Sequence, residues 1–126
     1  MFDHSKASKL ILIVEDDAFV SQMIRDRLKL EGYQTLAALC GKEAVSCLVA
    51  SHPTCVLLDL SLPDMDGFEV MKRIKAFNPD LPVIIVTGNH SESEGRRAIE
   101  MGARDYITKP IDFIYLLNEL AMQGSA

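Results

Sequence analysis

The chain has 126 residues, is 48% hydrophobic and 25% charged, and carries a formal net charge of −5. That length suits one domain with a single core, and that composition excludes a disordered chain. The negative balance argues against nucleic acid as a direct partner, and no apolar run reaches the roughly 20 residues of a membrane-spanning helix.

The start, Met1-Phe2-Asp3-His4-Ser5-Lys6, lacks the charged-then-apolar layout of a secretory signal, so a cytoplasmic location is expected. Cys40, Cys47 and Cys55 are odd in number and show no metal-ligand spacing. Three reduced, mostly buried thiols fit such a compartment.

Residues 1–8 read as a polar, frayed start. Leu10-Ile11-Leu12-Ile13-Val14 is a continuous aliphatic run, the first strand, and it ends in three acids, Glu15, Asp16 and Asp17. A run that is apolar at every position belongs to a strand buried on both faces. Phe19, Val20, Met23, Ile24, Leu28 and Leu30 then recur at helical spacing, with Asp17 placed to cap the helix and Gly32 to end it. Gln34 to Leu39 is a shorter, more polar strand suited to a sheet edge. Gly41 to Ser51 predicts a second helix with Ala44, Cys47 and Leu48 inward, stopped by Pro53. Cys55 to Leu58 is the third strand, and it runs through Asp59 into a turn-rich segment ending at Gly67. Gly67 to Phe77 predicts a third helix, with Val70, Met71, Ile74 and Phe77 inward and Asn78-Pro79 as its stop. Val83-Ile84-Ile85-Val86 is the fourth strand, ending at Thr87-Gly88.

Ser91-Glu92-Ser93-Glu94 fits a capping box and fixes the start of a fourth helix. Its apolar anchors are few (Ala98, Ile99 and Met101), and Gly95 inside it costs about 1 kcal/mol relative to alanine, so this helix is marginal. Asp105 to Thr108 is a short fifth strand ending at Lys109-Pro110. Asp112 to Met122 is the last helix, and the tail Gln123-Gly124-Ser125-Ala126 follows. With no internal repeat and no linker, residues 1–126 read as a single domain with a core at 9–122. Five alternations of strand and helix predict an α/β fold: a flavodoxin-like doubly wound (βα)5 sandwich with a parallel sheet and right-handed crossovers.

The polar residues without an evident packing role share one position. Glu15 and Asp16 follow the first strand, Asp59 ends the third, Thr87 the fourth and Lys109 the fifth. In a parallel sheet these ends lie on one edge, and ligands bind there beside the point where strand order reverses. For the five-stranded order 2-1-3-4-5, that crevice lies between strands one and three and gathers all five residues. At about 4 Å and an effective dielectric near 20, each pair of carboxylates repels by roughly 4 kcal/mol. Lys109 offsets part of this, and a divalent cation offsets more. Oxygen-only ligands suit Mg2+, and Mn2+ also fits. Asp16 and Asp59 can bind the ion directly, the Ser61 carbonyl is placed as a third ligand, and Glu15 can act through water. Lys109 and the Thr87 hydroxyl can hold phosphoryl oxygens. Such an assembly suits in-line phosphoryl transfer onto the Asp59 carboxylate.

Four blocks carry a family resemblance: Ile11-Leu12-Ile13-Val14-Glu15-Asp16-Asp17, Leu57 to Gly67, Val86-Thr87-Gly88, and Gly102 to Pro110. In that order, each after its own strand, they resemble the receiver domain of two-component response regulators, CheY-like, from Leu10 to Leu120. The resemblance implies that Asp59 takes a phosphoryl group from a histidine kinase or a histidine phosphotransfer protein. It implies Mg2+ at Asp16, Asp59 and the Ser61 carbonyl, and a cis peptide before Pro110 that aims Lys109 into the pocket. It also implies a switch. Thr87 moves toward the phosphoryl group, Tyr106 turns inward behind it, and the face formed by the fourth helix, fifth strand and last helix changes shape toward an output partner of unknown identity.

The chain departs from the family pattern in places. Glu15 stands where Asp is commoner, and Ile111 stands where an aromatic often follows the Lys-Pro pair. Ser61 and Asn89 occupy positions that tune phosphoryl lifetime. In the last helix, with Phe113, Leu116, Leu117 and Leu120 inward, Ile114 and Tyr115 fall where charged residues are usual. They form a docking or phosphorylation-dependent homodimer surface, or the helix is rotated slightly and buries one of them, or two lone apolar residues carry no meaning. Asp64 and Asp66 read as turn residues, Asp17 as a cap only, and His90 as a solvated loop residue near the site.

The expected protein is a phosphoryl-accepting switch that catalyses its own phosphorylation and dephosphorylation, not an enzyme acting on a separate substrate. It is either free-standing or a receiver module of a larger hybrid kinase or transcription regulator. A haloacid-dehalogenase-like phosphatase also forms an aspartyl phosphate, but it needs a second Asp where this chain has Ser61. A receiver that binds partners without phosphorylation would not need the intact acid, Asp, Thr and Lys set.

Overall fold

The aliphatic runs become the middle of a parallel sheet, buried along nearly their whole length. The computed structural model describes residues 4–88 and 91–122. A single helical turn at His4–Ala7 precedes β1 (Leu10–Val14), α1 (Ala18–Leu30), β2 (Gln34–Ala38), α2 (Gly41–Ser51) and β3 (Cys55–Leu58). Then come α3 (Gly67–Phe77), β4 (Val83–Thr87), α4 (Glu92–Glu100), β5 (Asp105–Thr108) and α5 (Phe113–Met122). All pairings are parallel and the strand order is β2-β1-β3-β4-β5, as the alternating pattern requires. The more polar β2 takes the edge. No helix among the described residues is long and apolar enough to cross a membrane.

Alternate residues of each buried strand feed opposite faces. Leu12, Val14, Val56, Leu58, Val83 and Ile85 pack against α2, α3 and α4 through Ala44, Leu48, Val70, Met71, Ile74 and Ala98. Ile11, Ile13, Cys55, Leu57, Ile84 and Val86 pack against α1 and α5 through Ile24, Leu28, Leu116 and Leu120. Each such aliphatic side chain contributes about 1.5–3 kcal/mol by leaving water.

Several expected core positions face solvent instead. Phe19 is 77% exposed and Leu30 83%, and Met23 is also exposed. The six apolar residues of α1 form two stripes, and only one can meet the sheet. Ser21, Ile24 and Leu28, spaced three and four apart, are the buried set. Phe19, Met23 and Leu30, spaced four and seven apart, form the outer one. Phe77 and Ile99 are likewise exposed, near the outer ends of α3 and α4. Of the start expected to fray, residues 1–3 lie outside the described residues, while Lys6 lies over the Tyr33 ring at 5.6 Å and pairs with Glu31 at 3.7 Å. The tail, residues 123–126, lies outside the described residues.

Ser21 is fully buried in α1, and its hydroxyl finds no hydrogen-bond partner among the described residues. An unsatisfied buried hydroxyl costs about 1–3 kcal/mol, and alanine is also the better helix former. Ser21→Ala is therefore expected to stabilise the fold by about 1 kcal/mol, read as a rise in melting temperature of about 4 °C. An unchanged or lowered value would show that the hydroxyl is satisfied in solution.

Candidate functional site

The sheet ladder runs one residue beyond the strands and fixes the backbone of the site. The Glu15 amide donates to Ala38 O at 3.0 Å, the Asp59 amide to Val14 O at 2.9 Å, and the Lys109 amide to Thr87 O at 2.8 Å. Register does the rest. Val14 pairs with Leu58, so Glu15 and Asp59 emerge side by side, and Thr87 pairs with Thr108, just before Lys109. The Lys109–Pro110 peptide is cis.

Above this edge the Lys109 ammonium donates to Glu15 Oε2 and to Asp59 Oδ2, both at 2.8 Å. Glu15 is only 3% exposed and Asp59 only 4%. Asp16 is exposed, yet one carboxylate oxygen from each of Glu15, Asp16 and Asp59 lies within 4.8 Å of the others. The Ser61 amide donates to Asp59 Oδ1 at 2.9 Å, which turns the chain back over the acceptor. Thr87 is fully buried at the end of β4. The structure thus brings together Glu15, Asp16, Asp59, Ser61, Thr87 and Lys109. Tyr106 stands apart, one strand over, with its ring against α4. A Cβ on Gly95 would sit 3.4 Å from that ring.

Three acids facing one ammonium divide their protons unevenly. Burial, then the hydrogen bond to Asp59, pushes Glu15 up to about 7 against the pull of Lys109. Burial pushes Asp59 upward too, but hydrogen bonds from Glu15, Lys109 and the Ser61 amide outweigh it and hold Asp59 below the usual carboxylate range. Burial works against the Lys109 charge, yet the two carboxylates win and raise it. Asp59 is therefore held as an ionised, half-desolvated carboxylate, and Glu15 carries the strain of the cluster. An all-oxygen donor set with excess negative charge fits a hard divalent cation such as Mg2+.

Other acids of the sequence do structural work. Asp17 caps α1 by accepting from the Phe19 and Val20 amides at 2.9 and 3.2 Å. Asp66 caps α3 through the Phe68 amide at 2.8 Å. Asp64 is not a simple turn residue. It accepts from the amides of Gly41 and Lys42, at 2.7 and 2.9 Å, and so caps α2 from another loop. Arg97 of α4 stacks over Phe68 at 4.1 Å, a contact with no local sequence signal. On α5, Ile114 is 72% exposed and Tyr115 is exposed beside it, so no rotation of the helix buries either. Cys40, Cys47 and Cys55 are not joined in disulfides. Asn89 and His90 lie outside the described residues.

With this geometry in hand, comparison with known proteins is direct. The sequence profile of the family described as response regulator receiver domain matches residues 11–121. The response regulator MprA of Mycolicibacterium vanbaalenii is 36% identical over 107 residues, which are 85% of this chain and 46% of MprA. The chain therefore spans about half the length of the curated relatives it matches. A CheY-like receiver domain protein from Methanospirillum hungatei superposes with a TM-score of 0.87 at 30% identity, covering 91% of this chain and 92% of that one. The chain is also similar to a structure described as a CheX–CheY–BeF3–Mg2+ complex from Borrelia burgdorferi, with a TM-score of 0.86 at 26% identity, covering 94% of this chain and 90% of that one.

The raised Glu15 value has a pH signature. Its carboxyl binds a proton more tightly folded than unfolded, so the folded state holds more protons between pH 4.5 and about 7. Stability then falls as pH rises through that window. In ion-free protein the melting temperature is expected to fall from pH 5 to pH 8, and Glu15→Gln is expected to flatten the trend. Millimolar Mg2+ should raise it more at pH 8 than at pH 5. A flat wild-type profile in chelator would overturn this assignment.

Proposed function

The chain belongs to the receiver domains of the response regulators of two-component systems, and from that premise we propose that Asp59 accepts a phosphoryl group from a phosphohistidine, on a histidine kinase or a histidine phosphotransfer protein. The observation that carries the reading is the nearly buried Asp59 carboxylate, held ionised between Lys109 Nζ at 2.8 Å and the Ser61 amide at 2.9 Å beside two further acids. In the transfer, an Asp59 oxygen forms the new O–P bond. The P–N bond of the donor breaks, and the imidazole leaves with the electron pair. Bound at Asp16, Asp59 and the Ser61 carbonyl, with Glu15 acting through water, Mg2+ or Mn2+ supplies charge neutralisation for the phosphoryl oxygens. Lys109 exchanges a carboxylate partner for a phosphoryl oxygen, and the buried Thr87 hydroxyl donates to another.

The same chemistry drives the switch. Phosphorylation adds charge and acceptor oxygens beside Thr87, and a shift of Thr87 frees space for the Tyr106 ring. Tyr106 rests on α4, whose sole fully buried residue among those described is Ala98. That helix is the element most easily displaced. The α4–β5–α5 face therefore carries the signal to an output partner, and the exposed pair Ile114 and Tyr115 gives that face a surface for docking or for a second copy of the chain. The protein acts as a phosphoryl-accepting switch that catalyses its own phosphorylation and dephosphorylation. Because relatives such as MprA are about twice as long, a receiver module within a larger regulator is a reading equal to a free-standing one.

Incubation with acetyl phosphate and Mg2+ is expected to place an acid-labile phosphate on Asp59 of the wild type and none on Asp59→Asn. If the two behave alike, the central assignment fails. Sedimentation with beryllofluoride and Mg2+ is expected to shift wild type toward a dimer and to leave Tyr115→Glu monomeric. A wild type that stays monomeric would remove self-association from the reading.

A further inference from the structure

We propose that Asp64 is a positioning residue for the cation site: it ties the acceptor loop, residues 60–66, to the N-terminus of α2 and so holds the Ser61 backbone over Asp59. The inference rests on the proposed reading of Asp16, Asp59 and the Ser61 carbonyl as ligands.

The loop is held at three places. Near its start, the Ser61 amide donates to Asp59 Oδ1 at 2.9 Å. At its base, the Gly67 amide donates to Leu60 O at 3.2 Å. The two strands of chain are so close there that a Cβ on Gly67 would lie 2.4 Å from Leu60 Cα. At its tip, Asp64 Oδ1 accepts from the Gly41 amide at 2.7 Å and Oδ2 from the Lys42 amide at 2.9 Å. Beside that tie, the Met65 side chain fills the space a Cβ on Gly41 would need, with Cγ 2.4 Å and Sδ 2.8 Å from its position. The helix depends on this arrangement, because its own N-cap residue, Cys40, makes no side-chain cap bond. Both amide bonds favour the ionised carboxylate and hold Asp64 below the usual range, the Lys42 amide contributing most.

Ser61 therefore sits on a span anchored at Asp59 on one side and at Asp64 on the other. Without the tie at its tip, the loop would hold the Ser61 carbonyl only through the Ser61 amide bond and the base, leaving it more freedom. Mg2+ tolerates little of that, since it demands near-octahedral geometry at about 2.0–2.1 Å. Residues that only orient ligands typically account for 10–100-fold in metal affinity. The placement of Asp64 follows the same logic. It is too far along the loop to be a ligand, it touches no other acid of the site, and its partners belong to a different helix.

The test separates loop positioning from helix capping. Asp64→Ala removes both roles. Adding Cys40→Asp gives α2 a local cap from an extended N-cap position while leaving the loop untied. Mg2+ affinity is measured by calorimetric titration, together with amide exchange of Ser61 in ion-free protein. The double variant is expected to recover the wild-type melting temperature, to bind Mg2+ about tenfold more weakly, and to exchange the Ser61 amide faster. Asp64→Asn, which keeps one acceptor oxygen, should fall between. At saturating Mg2+ the phosphorylation rate of the double variant should return to the wild-type rate. If affinity recovers with stability in the double variant, Asp64 is a helix cap only and the inference falls. If wild-type protein itself binds no Mg2+, the failure lies in the ligand reading on which the inference rests.

Discussion

One charge imbalance governs this molecule. Glu15, Asp16 and Asp59 place three carboxylates at one sheet edge against the single ammonium of Lys109. Two of the acids are almost fully buried, so solvent cannot screen them. The fold meets this in two ways. Lys109 bridges Glu15 and Asp59 from β5, 94 and 50 residues away in sequence, and Glu15 gives up part of its charge by holding a proton near neutral pH. What remains is an excess of negative charge of the kind that a dication, or the phosphoryl group proposed for Asp59, would relieve. The hydrophobic sheet beneath holds this electrostatic strain in place.

The sheet tolerates it because its apolar content is separate from its chemistry. Residues 11–14, 55–58 and 83–86 fill the two cores, and each strand turns polar only at its last position or one beyond. Backbone ladders then continue through Glu15, Asp59 and Lys109, so the reacting groups inherit the rigidity of the strands without weakening their burial. Loops add the adjustable part. The segment after Asp59 is short, is tied at both ends and reaches α2. The segment after Thr87 leads into α4, whose one fully buried residue among those described is Ala98.

That division explains what could be read from sequence. Strands, their ends and the gathering of Glu15, Asp16, Asp59, Thr87 and Lys109 follow from uninterrupted aliphatic runs and from parallel topology, both local or general signals. Helix facing was harder. In α1, Phe19, Met23 and Leu30 are as well spaced as Val20, Ile24 and Leu28, and only packing decides between the stripes, with Ser21 on the buried side. Asp64 was misread for a different reason. Its partners, Gly41 and Lys42, are more than 20 residues earlier, and an Asp in a Pro-Asp-Met-Asp-Gly segment has an adequate local explanation as a turn former. The Arg97 stack on Phe68 is equally invisible, since neither residue is unusual in its own helix.

In the proposed switch, Tyr106 is the residue that would join the site to the α4–β5–α5 face. Its ring lies over Gly95, where an added Cβ would meet it at 3.4 Å, an ordinary van der Waals contact. Glycine there costs α4 about 1 kcal/mol relative to alanine, which under the proposed switch lowers the work needed to shift the helix. The Arg97 guanidinium on Phe68 supplies the opposing restraint by fastening α4 to the helix that follows the acceptor loop. α4 is thus held by Ala98 in the core, by the Tyr106 ring over Gly95 and by the Arg97 stack, and a switch of the kind proposed has to work against only these few contacts.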